Sequence, residues 1–143
     1  MAISGCDSTD QNMSVKVGNP MIYNLPIPAS YASGSQSYAT SDIIGGIIVH
    51  NTGGVGVNGT LPTAALLLGA MKSIGPMLVG DTIECLIVNG GSAGSITLVA
   101  SAGVSFDTNQ VAGSQIIPTA NSKWVQIRFT NVAIGSEAYT VYS

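Results

Sequence analysis

Between Val79 and Phe106 hydrophobic and polar positions alternate. Ile83, Cys85 and Ile87 take one set of positions, and Thr82, Glu84, Leu86 and Val88 take the other. The stretch Asn89-Gly90-Gly91-Ser92-Ala93-Gly94 interrupts the pattern, and a second run follows in which Ile96, Leu98 and Ala100 alternate with Thr97, Val99 and Ser101. A period of two on both sides of a glycine-rich break predicts two strands paired as a hairpin. The second face carries Thr, Leu and Val rather than Lys and Glu, so it is expected to be only half wetted, covered by another layer of the subunit or by another subunit.

The same period returns twice. In Trp124–Thr130, Val125, Ile127 and Phe129 share one face, and Trp124, Gln126, Arg128 and Thr130 share the other. In Ala138–Tyr142, Tyr139 and Val141 oppose Ala138, Thr140 and Tyr142. The β-branched run Ile43–His50 reads as a further strand, with Gly45-Gly46 marking a bulge or a close backbone approach. A short strand is expected around Gln115–Pro118. One segment has helical spacing: Ala64–Ser73 follows Thr63, a good N-cap, and places Leu67, Ala70, Met71 and Ile74 on one side before Gly75-Pro76 stops it. Many short strands and one short helix predict an all-β fold, a β-sandwich or a jelly-roll-like barrel.

These elements fall in residues 41–143, read as one compact domain that starts near Asp42. Residues 1–40 read as an extended N-terminal arm. Pro26 and Pro28 hold Ile27 in extended backbone. Val15, Val17, Met21, Ile22, Tyr23, Leu25 and Ile27 are apolar anchors that cannot build a core alone. Such an arm is either a disordered tail or a segment laid along a neighbour, and the anchors favour the second for the part after Ser14.

Composition sharpens this reading. Charged residues make up 8% of the 143, against about 25% in ordinary soluble domains. A surface so poor in charge invites self-association, and interface cores are depleted in charge. The implied state is a permanent assembly. Lys16, Lys72, Lys123 and Arg128 are the only cations, too few and too scattered for a phosphate-binding patch, so nucleic-acid binding is disfavoured. The longest apolar runs, Ile43–Val49 and Ala64–Met71, are shorter than the 18 or so residues of a membrane helix. Met1–Gly5 has neither a charged nor an apolar leader region, so no signal peptide is predicted. Cys6 and Cys85 lie far apart and predict no disulfide; Cys85 sits on the apolar face of its strand as a small hydrophobe.

Candidate chemistry is sparse. His50, the single histidine, ends an apolar strand and reads as structural. No Cys/His cluster has zinc spacing. Asp81 is assigned to the turn before its strand, and Asp107-Thr108-Asn109 to another turn rather than a calcium loop. The spacing Gly54-Val55-Gly56-Val57-Asn58-Gly59 mimics a dinucleotide fingerprint, but Thr60-Leu61-Pro62 separates it from any helix. The chain therefore reads as a non-enzyme with no catalytic residue, metal or cofactor.

Several segments carry a resemblance: Gly59-Thr60-Leu61-Pro62-Thr63-Ala64-Ala65, Val79-Gly80-Asp81-Thr82, Ile87-Val88-Asn89, Ile96–Ala100, Gly103-Val104, Ile127–Val132 and Gly135–Tyr139. They resemble small virion structural proteins of tailed bacteriophages. The resemblance implies a capsid decoration, or cement, protein: a homo-oligomer, a trimer before a dimer, made in the host cytoplasm. It would be seated on the outer capsid surface where major capsid protein subunits meet. The residues themselves nominate Tyr23, Leu25 and Ile27 in the arm, with Trp124 and Arg128 on the more polar face of their strand, as capsid or inter-subunit contacts. The alternative is a receptor- or glycan-binding domain of a phage fibre, with Trp124 and either Tyr139 or Tyr142 as a stacking platform.

Overall fold

The computed structural model describes residues 27–110, 113 and 115–143; residues 1–26, including Tyr23 and Leu25, lie outside the described residues. Strands β1 (Ala29–Tyr31), β3 (Ile47–His50), β5 (Thr82–Asn89), β7 (Val104–Phe106), β9 (Ser122–Asn131) and β10 (Ala138–Tyr142) form a six-stranded sheet in the order β1-β3-β5-β9-β10-β7. Strands β2 (Gln36–Ser37), β4 (Val57–Thr60), β6 (Ile96–Val99) and β8 (Ile116–Ile117) form a four-stranded sheet in the order β2-β4-β6-β8. The chain is mainly β. It changes sheet at every step from β1 to β9, and only β10 pairs with the strand just before it.

The first six strands wind as a coil of three rungs. β1, β3 and β5 stack in parallel in one sheet, and β2, β4 and β6 stack in parallel in the other. Two helices, α1 (Thr40–Gly45) and α2 (Ala64–Lys72), carry the chain back to the larger sheet. The expected β5–β6 hairpin is thus not formed: the two strands lie in different sheets. The reason lies in the links. Asn51–Gly56 and Gly90–Ser95 are corners that stack on each other, and their backbone groups find partners in the neighbouring rung. The Gly90 N–H donates to His50 O at 3.0 Å, the Val57 N–H to Ser95 O at 2.9 Å, and the Thr52 hydroxyl to Ala93 O. Asn51 N–H reaches back to Tyr31 O in the first rung at 3.0 Å. A break long enough to turn a corner needs no hairpin once other segments satisfy its polar groups.

Three other expectations are corrected. First, the arm does not extend to residue 40. Ala29–Tyr31 and Gln36–Ser37 belong to the two sheets, and Tyr38 is buried in the core. Second, Ile43 and Ile44 are helical, so the described residues hold two helices rather than one. The Asp42 carboxylate accepts the Ala39 N–H at 2.8 Å and the Tyr31 hydroxyl, and Gly46, at φ 82°, closes α1 in the left-handed conformation. Burial of Ile43 outweighs the weak β preference of the run. Third, the sheets do not close into a barrel. The ladders of the coil are parallel, where a jelly roll needs antiparallel ones.

Helix α2 forms where expected, but its buried side is not the expected one. The Thr63 hydroxyl accepts the Leu66 N–H at 3.3 Å at the start of α2. The buried side of that helix is Ala64, Leu67 and Leu68, while Ile74, beyond its end, is exposed. Both sheets feed one buried cluster. Ile48, Cys85, Ile87, Val125, Ile127 and Phe129 come from the larger sheet, and Val57, Ile96, Leu98 and Ile117 from the smaller. Tyr139 packs edge-on against Phe129 at 6.0 Å, and its hydroxyl donates to Pro62 O at 2.6 Å, tying the closing strand to the entry of α2.

Candidate interaction face

The outer face of the six-stranded sheet is built by alternation. Since Val125, Ile127 and Phe129 point into the core at 0% exposure, Trp124, Gln126 and Arg128 must point out. Strand pairing then sets their neighbours. Ile47, Leu86 and Trp124 form one cross-strand row, and Val49, Val88 and Ser122 form the next. Further along, Gln126 lies between Glu84 and Tyr142, and Arg128 between Thr82 and Thr140. Gln126 Nε2 donates to Glu84 Oε1 at 3.1 Å.

The face therefore has two ends. One is apolar, with Ile47, Val49, Leu86 and Val88 half-buried beside Trp124, which is 61% exposed. The other is polar and holds Arg128 among threonines, roughly 13 Å along the strand from Trp124 at the usual rise per residue. Trp124 and Arg128 share one surface without touching the same neighbours. Tyr139 is buried on the opposite side of the sheet, so a platform of Trp124 with Tyr139 does not exist; Tyr142 does lie on the outer face. Ile27 is 93% exposed and precedes β1 at the edge of this sheet.

The titratable groups named from the sequence are occupied in the fold. His50 is buried; Nε2 contacts Gly34 O at 2.8 Å and Nδ1 contacts the Tyr38 hydroxyl at 2.9 Å. A carbonyl oxygen only accepts, so Nε2 carries the hydrogen, and in the neutral ring Tyr38 donates to Nδ1. Tyr31, Tyr38 and His50 pack with ring centres 5.4–5.9 Å apart. This cluster was not legible in the sequence, because its members come from three separate strands or links. Burial pushes the Tyr38 and Tyr139 phenols up, and it pushes the Cys85 thiol up to about 12. Tyr31 is raised too, by burial first and by its bond to Asp42 second. Asp81 Oδ2 accepts the Leu78 N–H at 2.8 Å, and Asp107 Oδ1 accepts the Asn109 N–H at 3.3 Å, so both carboxylates serve turns. Among the described residues no group of three or more His, Cys, Asp or Glu is placed to hold a metal, and no helix is long and apolar enough to cross a membrane.

No family model, curated protein or solved structure matches this chain.

Proposed function

We propose that this chain is a structural binding protein of a virion, a two-layered β-sandwich subunit that associates with its own copies and with major capsid protein on the outside of a phage head. The observation that carries the binding reading is the row Ile47–Leu86–Trp124, an apolar strip crossing the outer face of a sheet whose β1-β3-β5 part is parallel. Parallel sheets are ordinarily covered on both faces. Here helices and the second sheet cover one face, and Trp124 stands exposed on the other. An aromatic anchor with half-buried aliphatic neighbours and a polar end bearing Arg128 has the make-up of an interface centre and its rim. The scarcity of charge supports the same reading. The phage setting is supported by the resemblance of the Gly59–Tyr139 segments alone. Acting at several capsid junctions at once would add avidity without new contacts.

The test pairs native mass spectrometry with binding to empty phage heads. The wild-type chain is expected as an oligomer that coats heads. Trp124→Ser, which removes an exposed side chain, should keep its fold and lose at least tenfold in association. A wild-type chain that stays monomeric and ignores heads overturns the proposal. A second reading has one observation in its favour: Tyr142 is diagonal to Trp124 on the adjacent strand, close enough for a shared stacking surface. Glycan-array binding that Tyr142→Ala abolishes would favour a sugar-binding fibre domain instead.

A further inference from the structure

Strand direction gathers a set of links at one end of the larger sheet. β1, β3 and β5 are parallel, β9 runs against β5, β10 runs against β9, and β7 runs with β10. So β1, β3, β5, β7 and β10 begin at this end and β9 finishes there. Of the ten large hydrophobic side chains exposed among the described residues, six stand here: Ile27 before β1, Ile44 in the helix before β3, Ile74, Leu78 and Val79 before β5, and Ile134 between β9 and β10. Trp124 lies toward the opposite end of β9. Apolar side chains gathered in this way mark a binding surface, unlike ones scattered singly.

The charged groups at this end serve its own backbone. Lys72 Nζ donates to Val132 O at 3.0 Å and ties the end of α2 to the β9–β10 link. Glu137 Oε2 accepts the Gly135 N–H at 3.0 Å, and Asp81 Oδ2 accepts the Leu78 N–H. What the end offers a partner is aliphatic.

Its relief names that partner. A groove of about 410 Å³ lies between α1 and α2, with Ile44 and Gly45 on one wall, Ala70, Ser73 and Ile74 on the other, and no charged residue lining it. Ile134, 91% exposed, stands out as a knob on a turn closed by the Ser136 N–H to Ala133 O at 3.0 Å. In the strand order β3-β5-β9-β10, the α1 wall of the groove leads into β3 and Ile134 joins β9 to β10. Leu78 and Val79 lead into β5, between the two. A socket, an aliphatic pair and a knob in that order fit a second copy of the same surface. A half-turn about the middle exchanges knob and socket, which is the condition for an isologous contact. Interfaces between identical chains are also the more apolar class, and a net charge of −3 on 143 residues leaves little repulsion between copies. Six strands at about 4.8 Å and two layers with their outer side chains make this end roughly 29 by 20 Å, about 600 Å² in projection. That is comparable to the roughly 800 Å² each partner buries in a stable interface.

We infer that this end is where two copies of the chain meet, around a two-fold axis beside Leu78 and Val79, with Ile134 of each copy seated in the α1–α2 groove of the other. The inference rests on the reading that the chain associates with its own copies. It gives that contact an end of its own and leaves the Trp124 face to capsid protein.

Mixed thiols test the contact in the full-length chain. Ile134→Cys and Ile74→Cys are made separately, each with Cys6→Ser and with Cys85 left buried, and one of them is labelled with nitrogen-15. Oxidised together, they should give the mixed disulfide dimer at least tenfold over either like–like dimer. Like–like dimers alone, or no dimer, overturn the inference. Native mass spectrometry supplies the second arm. Ile134→Asp changes an exposed side chain and should raise the dimer dissociation constant at least tenfold, while Val55→Asp, in a corner at the far end, should leave it within twofold. An Ile134→Asp chain that self-associates like wild type overturns the inference, and one that does so while failing to bind empty heads assigns this end to capsid protein instead. A wild-type chain that is monomeric yet coats heads overturns this inference alone; one that is monomeric and ignores heads overturns the virion reading as well.

Discussion

The coil of residues 29–99 and the ribbon of β9 and β10 are held together in different ways. Apart from β5, the strands in the coil run only two to four residues, and their order depends on corners that lean on other corners. Asn89 shows how. Buried at the end of β5, it donates to Gly94 O at 3.0 Å and to Ile117 O at 3.2 Å and accepts the Gly91 N–H at 3.0 Å, so one side chain links its own corner to the second sheet. The ribbon needs no such device. β9 runs ten residues, and strict alternation puts Val125, Ile127 and Phe129 inside. Its stability is apolar burial; that of the coil is burial plus polar groups satisfied between rungs. The difference teaches that short parallel strands hold their register through their links, whereas a long antiparallel strand carries its register in its own pattern.

Four experiments break or sharpen this contrast. The largest effect should come from the ribbon core: Phe129→Ala removes a fully buried ring packed on Tyr139 and should cost about 3–5 kcal/mol in denaturant unfolding. A corner substitution should come close without touching the apolar core. Gly94 has φ 79°, and a Cβ there would lie 2.9 Å from Gly56 N and closer still to the Val55 carbonyl. Gly94→Ala should therefore cost about 3 kcal/mol through strain and overlap between stacked corners. A loss under about 0.5 kcal/mol would show that the corners do not hold the rungs. Smaller again, Tyr38→Phe leaves His50 Nδ1 without its partner and should cost about 1–2 kcal/mol.

The most gradual effect is alkaline. Tyr38, Tyr139 and Cys85 have folded pKa values above their ordinary ones, all through burial first. A raised acid keeps its proton in the fold while the unfolded chain releases it. The stability these groups contribute is fully present below pH 9 and declines above it, as unfolded Cys85 and then the unfolded tyrosines ionise, by up to about 1.4 kcal/mol per pH unit for each group. Unfolding midpoints measured from pH 8 to 11 should fall in wild type and fall less steeply in Cys85→Ala. A flat profile would count against tight burial in both halves.

Which parts were legible follows from the same physics. The alternations of β5, β9 and β10, the Thr63 cap of α2, the turn roles of Asp81 and Asp107 and the buried place of Cys85 are set within a few residues, and the chain alone determined them. It also placed Trp124 and Arg128 on one outward face, because a period of two leaves no choice once Val125 is inside. What the tertiary structure decided was partnership. That Asn89–Gly94 turns a corner rather than a hairpin, that Ile43 joins a helix, and that Tyr31 and Tyr38 leave the arm to pack on His50 all depend on groups far along the chain. A backbone donor or an apolar side chain specifies that it needs a partner, and only the folded arrangement supplies which one.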